Sequence, residues 1–416
     1  MTSGSVIRAR KYVNKVFNIE ARLAGLTDGR IDPTVPFAAV MATWYWAMTR
    51  QVSSTEQVGD LLKDPRWRKV LGLKAEDGGS ADTAGRVLDE LSIDELNELC
   101  LGVFFEARRA GILKDDGPYG KRLGLVDLNE LFKSEKVHCD KCQVREKKVK
   151  DAEGKESIVN EYFHQAVALV WAGGKLTWPI GWELLAPGEG ELTAAHRLLE
   201  RLLPELAESL DGVMGDALYC CRPFFKEVCR HGLEAYAISS GQTEMDVEMD
   251  LLVENEAPKK MSGIEVDAWE MESCAWEKDL HRKLRVLHYE RRYAAPPWKH
   301  ERKQLRLVTS APVALLPLGQ GWKVGRCRWD IENGTFNILT RDYALEHNYR
   351  HSPAAIVALL VLRSLAYCLS MAYRRFSTAR SKHAPADFLR WFQAVFIEDW
   401  VRFLDGALAI AAPLSG

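Results

Sequence analysis

The sequence is poor in cysteine and carries almost no net charge. Nine cysteines, an odd number, are spread over 416 residues, whereas secreted domains held together by disulfides are much denser in cysteine. We therefore expect reduced thiols and a cytoplasmic protein. The formal net charge is −2, from 56 Lys and Arg against 58 Asp and Glu. This balance excludes a uniformly basic nucleic-acid coat protein but does not test local patches.

Long hydrophobic segments are also scarce. The N-terminal residues 1–17 contain four basic side chains with no apolar region behind them, so no secretory signal is expected there. Residues 354–373 are apolar enough to suggest a membrane span, but Arg363 lies in the middle, where a charge is costly in lipid. We expect a buried core helix and no membrane partner. Internal repeats and long low-complexity tracts are absent from the sequence as well.

The hydrophobic pattern changes along the chain and predicts four regions. Residues 1–118 show helical periodicity. Residues 119–243 follow the order strand, strand, strand, helix, strand, helix, strand, which is typical of a mixed α/β domain and coincides with the ribonuclease-H-like order. Residues 244–320 contain alternating stretches and predict a β-rich insertion. Helical periodicity returns in residues 321–416, which we expect to complete the core.

Three carboxylates interrupt apolar segments. Asp127 lies within an apolar strand-like run, and Asp216 ends a second short strand. Glu332 shares a predicted helix face with apolar positions at steps of four, three and four residues, so we expect its carboxylate to point toward the sheet rather than into water. Converging carboxylates form sites for hard divalent cations, and two such cations can assist an in-line phosphoryl displacement. The spacing alone leaves open a second interpretation, three unrelated ion-paired acids.

The residues around these acids carry a family resemblance. The relevant segments are Asp-Leu-Asn-Glu-Leu-Phe-Lys-Ser at 127–134, Gly-Asp-Ala-Leu-Tyr at 215–219, Pro-Phe-Phe at 223–225 and Arg-Trp-Asp-Ile-Glu at 328–332. In this order they resemble the DDE transposases of bacterial insertion sequences, of the IS-four type, whose signature reads Y-(2)-R-(3)-E-(6)-K. The resemblance extends from about residue 53 to the apolar helix at 354–373.

Two positions depart from that signature. Gly325 stands at the position of its Tyr and Leu339 at the position of its Lys, while Arg328 and Glu332 are kept. Leu128 also replaces the glycine that usually follows the first aspartate. The acidic triad is thus complete, but two side chains expected to contact phosphate are missing. Basic residues nearby are candidate replacements, namely Lys323, Arg326 and Arg341.

The resemblance implies a ribonuclease-H-like catalytic core and a DNA transposase. Asp127, Asp216 and Glu332 would hold Mg²⁺ or Mn²⁺, and Arg328 would neutralise phosphate charge. Water would cleave the element ends, and the freed 3′-hydroxyl would be joined to target DNA. The implied partners are double-stranded DNA, as terminal inverted repeats and target, and a second copy of the chain on that DNA, with residues 1–118 as a DNA-binding region. Two alternatives are a catalytically inactive DNA-binding relative of the same fold and a metal-dependent nuclease without strand transfer.

A single Cys-x-x-Cys pair is a second candidate metal site. Cys139 and Cys142 lie in a polar, hairpin-like segment, with His138 beside them and His164 on the returning arm. These four side chains offer the ligand types of a tetrahedral Zn²⁺ site. Because no second pair stands at zinc-finger spacing, free thiols in a loop are the competing interpretation.

Charge is distributed unevenly in the expected insertion. Residues 244–279 have a net charge of −9 and residues 281–306 a net charge of +7. In one interpretation the two stretches pair with each other. In the other, the basic stretch contacts DNA, since aromatic side chains alternate with its basic ones. The candidate DNA-binding residues are Arg291, Arg292, Trp298, Lys299, Arg302, Lys303 and Trp329. Weaker candidates of the same kind are Arg8, Arg10, Lys11, Lys15, Arg374 and Arg375.

Overall fold

The structure of the protein is a computed structural model. It describes residues 5–52, 54–74, 78–115, 117, 120–150, 156–174, 176–241, 243–261, 266–291, 303–329, 331–347, 349–376, 400, 403 and 404. For residues 5, 303 and 333 it describes the backbone alone.

Helices occupy the N-terminal part of the described chain. They are α1 (Ser5–Phe17), α2 (Ile19–Ala24), α3 (Phe37–Thr49), α4 (Thr55–Lys63), α5 (Pro65–Val70), α6 (Ala81–Asp89) and α7 (Ile93–Arg109). Three of them begin where a serine hydroxyl accepts a backbone N–H from the first turn: Ser54 at α4, Ser80 at α6 and Ser92 at α7. Almost every side chain of α3 is buried, so this helix lies in the core rather than at the surface.

The strands of the described residues form one sheet. They are β1 (Leu123–Ser134), β2 (Gln143–Lys150), β3 (Glu156–Ala172), β4 (Trp178–Leu184), β5 (Gly212–Gly215), β6 (Glu234–Ile238), β7 (Lys259–Lys260), β8 (Val266–Ser273), β9 (Leu284–Arg291) and β10 (Lys303–Thr309). The order is β2-β3-β1-β5-β6-β10-β9-β8-β7, with β4 paired to β3. The pairs β1–β5 and β5–β6 are parallel, and the other pairs are antiparallel.

This topology confirms the predicted fold class. Strands β4, β3, β1, β5 and β6 lie side by side in the ribonuclease-H-like order, with the two parallel contacts at the centre. The strands from the region 244–320 continue the same sheet, because β10 pairs with β6. That region also contains helices, since it opens with a helix before β7. The division of the chain into four regions stays a prediction.

Further helices flank the sheet. They are α8 (Glu191–Leu206), α9 (Arg222–Cys229), α10 (Glu244–Asn255), α11 (Glu277–Leu280), α12 (Leu318–Cys327), α13 (Asn337–Tyr343) and α14 (Pro353–Phe376). Two shorter helical turns complete the set, a 3₁₀ turn at Ala217–Tyr219 and a π-helical turn at Ile331–Phe336.

Helix α14 is the apolar segment that the sequence predicts as a core helix. By length and composition it is able to cross a membrane, but 94% of its most apolar 18-residue window is buried within the protein. It packs against α3, α7 and β4. The indole of Trp182 in β4 donates a hydrogen bond of 2.9 Å to the hydroxyl of Ser364. The helix therefore joins the N-terminal helices to the sheet.

Arg363 is a charged side chain buried in the middle of α14. Its guanidinium donates to the carbonyl oxygens of Leu345, at 3.1 Å, and His347, at 2.6 Å. It also lies 5.0 Å from the ring centroid of Tyr349. Because these partners belong to the segment after α13, Arg363 fastens that segment to the core helix.

Replacing Arg363 by Met is expected to lower the free energy of unfolding by about 1–3 kcal/mol, because two buried carbonyl oxygens lose their donor. Urea unfolding followed by circular dichroism measures the change. Arg86→Met is the matched control: Arg86 forms an exposed ion pair with Asp82 on α6, which contributes at most about 0.5 kcal/mol. Equal losses in the two variants would contradict the anchoring role of Arg363.

Candidate active site

The register of the central strands places Asp127 and Asp216 at the same level. In the parallel pair β1–β5, Leu125 lies opposite Met214. Each aspartate follows its strand's member of that pair by two residues. Both aspartates therefore lie just beyond the paired residues of β1 and β5, although β1 itself continues to Ser134. On the other side of β1, Asp127 lies opposite Ala168 of β3.

Asp127 is a buried carboxylate in a field of like charge. Its side chain is 8% exposed, and one oxygen accepts the N–H of Leu128 at 2.9 Å. Burial, and after it the negative charges of Glu332 and Asp216, raise the pKa of Asp127 to about 7, against the opposing effects of Leu128 and Arg328. The negative charges of Glu332 and Asp216 thus act on Asp127.

Asp216 is held by the 3₁₀ turn that follows β5. Its carboxylate accepts the backbone N–H of Leu218 at 2.8 Å, which fixes the side chain at the start of the turn. Position 215, just before it, fits only a glycine, because a Cβ added to Gly215 would lie 2.4 Å from the ring of Tyr219. Glycine thus lets the chain fold back tightly beneath the aspartate.

Glu191 is a fourth acid in this region, one that sequence reasoning missed. It begins α8 and accepts a hydrogen bond of 2.7 Å from the hydroxyl of Tyr219. Burial and the charge of Asp216 raise its pKa, while the bond from Tyr219 lowers it. The sequence gives no signal for this residue, because it follows a Gly-Glu-Gly turn that is typical of a solvated loop.

Glu332 lies on the π-helical turn rather than on a regular α-helix. The expectation that its side chain points away from water is wrong: the side chain is 44% exposed. The i→i+5 bonding of a π turn changes the angle between successive residues, so α-helical steps do not align Glu332 with the buried Phe336 and Leu339. The turn nevertheless packs against β1. Glu332 therefore borders the site from its solvent side.

Arg328 provides positive charge beside the triad. Its guanidinium forms an ion pair with Glu332, four residues along the chain, and lowers the pKa of Asp127. The ring of Trp329 lies between two guanidinium groups, at 5.9 Å from Arg328 and 5.3 Å from Arg326. Trp329 is half-buried, so it packs against these cations and borders the site.

The two departures from the signature are accommodated in the core. A Cβ at Gly325 would lie 2.6 Å from the side chain of Leu305 in β10, and Leu339 is fully buried. A tyrosine or a lysine at these positions would need the surroundings to rearrange. Among the candidate replacements, Arg341 forms an ion pair with Asp342. Arg326 and Arg328 both lie close to the ring of Trp329.

A cluster of sulfur and nitrogen atoms forms near the other predicted metal site. The ligand atoms of Cys139, Cys142, His164 and His351 all lie within 4.8 Å of one another. Three of these residues were predicted from the sequence, and His351 was not. Burial lowers the pKa of His164 to about 4 and raises the pKa of Cys142 to about 11.

His138, the fourth ligand that the sequence predicts, lies outside this cluster. Its ring stacks on Tyr162 with the centroids 4.3 Å apart. Its Nδ1 atom lies 3.3 Å from the carbonyl oxygen of Lys136. The side chain is thus turned along the hairpin surface, and proximity in sequence to Cys139 misled the prediction.

Several described basic residues of the insertion pair with its acids. Arg285 pairs with Glu270, and Lys283 pairs with Glu272 at 3.2 Å. Arg306 contacts two acids of α10, Asp246 at 2.8 Å and Asp250 at 2.6 Å. For these residues the structure supports mutual neutralisation of the two charged stretches.

Most of the candidate DNA-binding residues of the insertion fall outside the described residues. These are Arg292, Trp298, Lys299 and Arg302, together with the side chain of Lys303. Arg291 ends β9, where its backbone lies opposite Lys303 of β10. Their role in DNA binding stays a prediction.

A basic cleft forms between α1, the segment that follows α7 and the end of α14. It has a volume of about 670 Å³ and is lined by Arg8, Lys11, Lys15, Lys114 and Arg375. The rings of Tyr12 and Phe376, which also line it, stack with centroids 4.6 Å apart. Arg10 faces elsewhere and pairs with Glu20 at 2.7 Å. Two groups of basic residues that are distant in sequence therefore form one surface.

The raised pKa of Asp127 predicts a pH-dependent stability. Between about pH 4 and pH 7 the folded protein keeps a proton that the unfolded chain has released, so this contribution to stability is full below pH 4 and lost above pH 7. In buffer without added divalent cations, Asp127→Asn should raise the melting temperature above pH 7, with the gain vanishing toward pH 4. Mg²⁺ or Mn²⁺ should stabilise the wild type above pH 7 but not this variant.

Calorimetry over this pH range measures both effects. Asp82→Asn, at an exposed ion pair on α6, is the control for the loss of one acid. A gain for Asp127→Asn that does not change with pH would contradict the assignment.

The comparison with known proteins agrees with this geometry. Residues 173–369 match the family model described as a transposase DDE domain. The match runs from the turn after β3 into α14, so it includes Asp216, Arg328 and Glu332, while Asp127 precedes it. Among curated proteins, none matches the chain. Residues 173–369 of the chain thus carry a transposase DDE domain, within a sheet of ribonuclease-H-like strand order.

Proposed function

We propose that the protein cleaves DNA at the ends of its own element and transfers the freed strands into target DNA. The observation that carries this proposal is the placement of Asp127 and Asp216 at the same level of β1 and β5, within the electrostatic field of Glu332. This arrangement suits a phosphoryl transfer in which negative charge must be neutralised on both sides of the reacting phosphorus.

The carboxylates fit a hard divalent cation. Asp127 and Asp216 lie at the same level of β1 and β5, and burial together with the charges of Glu332 and Asp216 raises the pKa of Asp127 in spite of Arg328. Asp127, Asp216 and Glu332 would hold Mg²⁺ or Mn²⁺. When bound, the cation supplies Lewis acidity and lowers the pKa of water.

The chain's own residues divide the work of binding and orientation. Asp127 and Asp216 are each fixed by one backbone N–H, from Leu128 and Leu218. Glu332 forms an ion pair with Arg328. Because its side chain is exposed, its carboxylate has room to leave that pair and turn toward the two aspartates. We propose that this turn releases the guanidinium of Arg328 to bind a DNA phosphate in a bidentate manner.

We propose double-stranded DNA as the partner, both as terminal inverted repeats and as target. The N-terminal region 1–118 would bind DNA, with the basic cleft contacting phosphates. Joining two element ends to one target requires both ends in one complex, so a homodimer on DNA is expected. The cytoplasm is the compartment in which this activity would take place.

Two alternative functions rest on the missing signature residues. Because Gly325 and Leu339 are buried, the site lacks two side chains that the signature provides. A protein with this deficit either binds DNA without cutting it or cuts without joining. Both outcomes are distinguishable in one assay.

The triad variants Asp127→Asn, Asp216→Asn and Glu332→Gln are each expected to lower cleavage at least about 100-fold, because each removes one carboxylate that would hold the divalent cation. Purified protein, Mg²⁺, DNA with the element's ends and a plasmid target are incubated together. Binding of the same DNA, measured by fluorescence anisotropy, should be retained. Asp82→Asn serves as the control acid.

The wild-type products decide between the functions. Joined DNA supports transposition, nicks without joining support the nuclease, and bound but uncut DNA supports the inactive relative. Full activity in any triad variant would remove that residue from the assignment.

The double variant Lys11→Glu, Lys15→Glu is expected to weaken DNA binding and to reduce the salt dependence of the binding constant by about one unit of slope per lost phosphate contact. Both lysines are exposed in the basic cleft. Titrations at several salt concentrations measure the slope. Lys278→Glu, at an exposed lysine in the acidic stretch, is the control. An unchanged slope in the double variant would exclude the cleft from the DNA interface.

A further inference from the structure

We propose that Cys139, Cys142, His164 and His351 form a structural zinc site that joins the β1–β2 connection to the start of α14. The inference goes beyond the proposed DNA chemistry, because this cluster uses none of the triad residues. It rests on the distances between the four ligand atoms, on the local conformation of the Cys-x-x-Cys turn and on the three chain segments that the residues connect.

Four of the six distances between ligand atoms are close to the edges of a tetrahedron around zinc, and the other two are at most 4.8 Å. With Zn–S bonds of about 2.3 Å and Zn–N bonds of about 2.05 Å, the edges are about 3.8 Å between two sulfurs and about 3.6 Å between sulfur and nitrogen. The two Sγ atoms lie 3.7 Å apart. The Nε2 atom of His164 lies 3.5 Å from Cys139 and 3.3 Å from Cys142, and the Nδ1 atom of His351 lies 3.9 Å from Cys142.

The turn that carries the two cysteines has the conformation that a metal site needs. The N–H of Cys142 donates to the carbonyl oxygen of Cys139 at 3.3 Å and closes the turn. The N–H of Cys139 points toward the sulfur of Cys142, also at 3.3 Å. Such a donor stabilises a thiolate, the form in which cysteine binds metal.

The chemistry of the four ligands favours zinc over the alternatives. At 3.7 Å the sulfurs are far from the length of about 2.05 Å of a disulfide bond. Two thiolates and two imidazoles suit Zn²⁺, whereas Mg²⁺ and Ca²⁺ prefer oxygen. On binding, the two thiols release their protons to water, and the two thiolates balance the charge of the ion.

The ligands come from segments that are far apart in sequence. The cysteines lie between β1 and β2, His164 lies on β3, and His351 stands two residues before α14 begins. The ring of His351 packs edge-on against Phe132 of β1, with the centroids 4.2 Å apart. Zinc would therefore fasten the strand that carries Asp127 to the segment that Arg363 anchors.

Packing orients the two histidine rings. Among the described residues, neither the Nδ1 atom of His164 nor the Nε2 atom of His351 has a hydrogen-bond partner. The usual carboxylate or carbonyl contact behind a metal-bound histidine is absent from this part of the chain. The contact with Phe132 and the burial of His164 in the sheet take over that role.

The full-length protein, purified without added metal, is expected to contain about one zinc per chain by mass spectrometry. Cys142→Ser and His351→Ala should reduce the content to near zero. His138→Ala and Cys274→Ser, at an exposed thiol, should keep it. Zinc contents in Cys142→Ser and His351→Ala equal to that of the wild type would overturn the proposal, as would a wild type that binds no zinc when one equivalent is supplied.

Cobalt substitution of the wild type provides a test that does not depend on the folding of any variant. Co²⁺ in this site should give the thiolate charge-transfer band and the intense visible bands of a tetrahedral S₂N₂ complex. Octahedral cobalt, with weak bands only, would contradict the site. Neither measurement uses DNA cleavage, so failure of the zinc site and failure of the proposed transposase activity are distinguishable.

Discussion

The burial of the Asp127 carboxylate within β1, beside the negative charges of Glu332 and Asp216, is the constraint around which this site is organised. Asp127 has little access to water and accepts one backbone N–H, so its negative charge is stable only with a proton or a cation beside it. Arg328 supplies part of that positive charge and also pairs with Glu332. The fold thus retains a charge imbalance that a divalent cation removes, which links stability to the proposed catalytic step.

Three sets of contacts hold the chain segments around these carboxylates in place. Parallel pairing of β1 and β5 sets the level of the two aspartates. The sulfur of Cys327 at the end of α12 lies 3.5 Å from that of Met214 in β5, which holds the segment leading to Glu332 against the same strand. Arg363 fixes the chain beyond α13 through two carbonyl oxygens. The side chain of Glu332, in contrast, is exposed and is held by its ion pair with Arg328.

The strand order and the positions of Asp127 and Asp216 were predictable from the sequence, because a polar residue in an apolar strand is a local signal. The geometry at Glu332 was not, since the π-helical turn depends on how Ile331–Phe336 packs against β1 rather than on local propensity. His351 was missed for a related reason. Its contact with Cys142 joins residues far apart in sequence, whereas His138 was favoured by adjacency alone.

The net charge of −2 does not report the local charges through which the chain would bind DNA. Pairs such as Arg285–Glu270 and Arg306–Asp246 neutralise parts of the acidic and basic stretches within the sheet extension. The basic cleft collects five basic side chains on another surface, which we propose to attract phosphate. Because screening limits each charge to about 10 Å, local concentration of charge decides binding, and a near-neutral whole chain is compatible with a DNA partner.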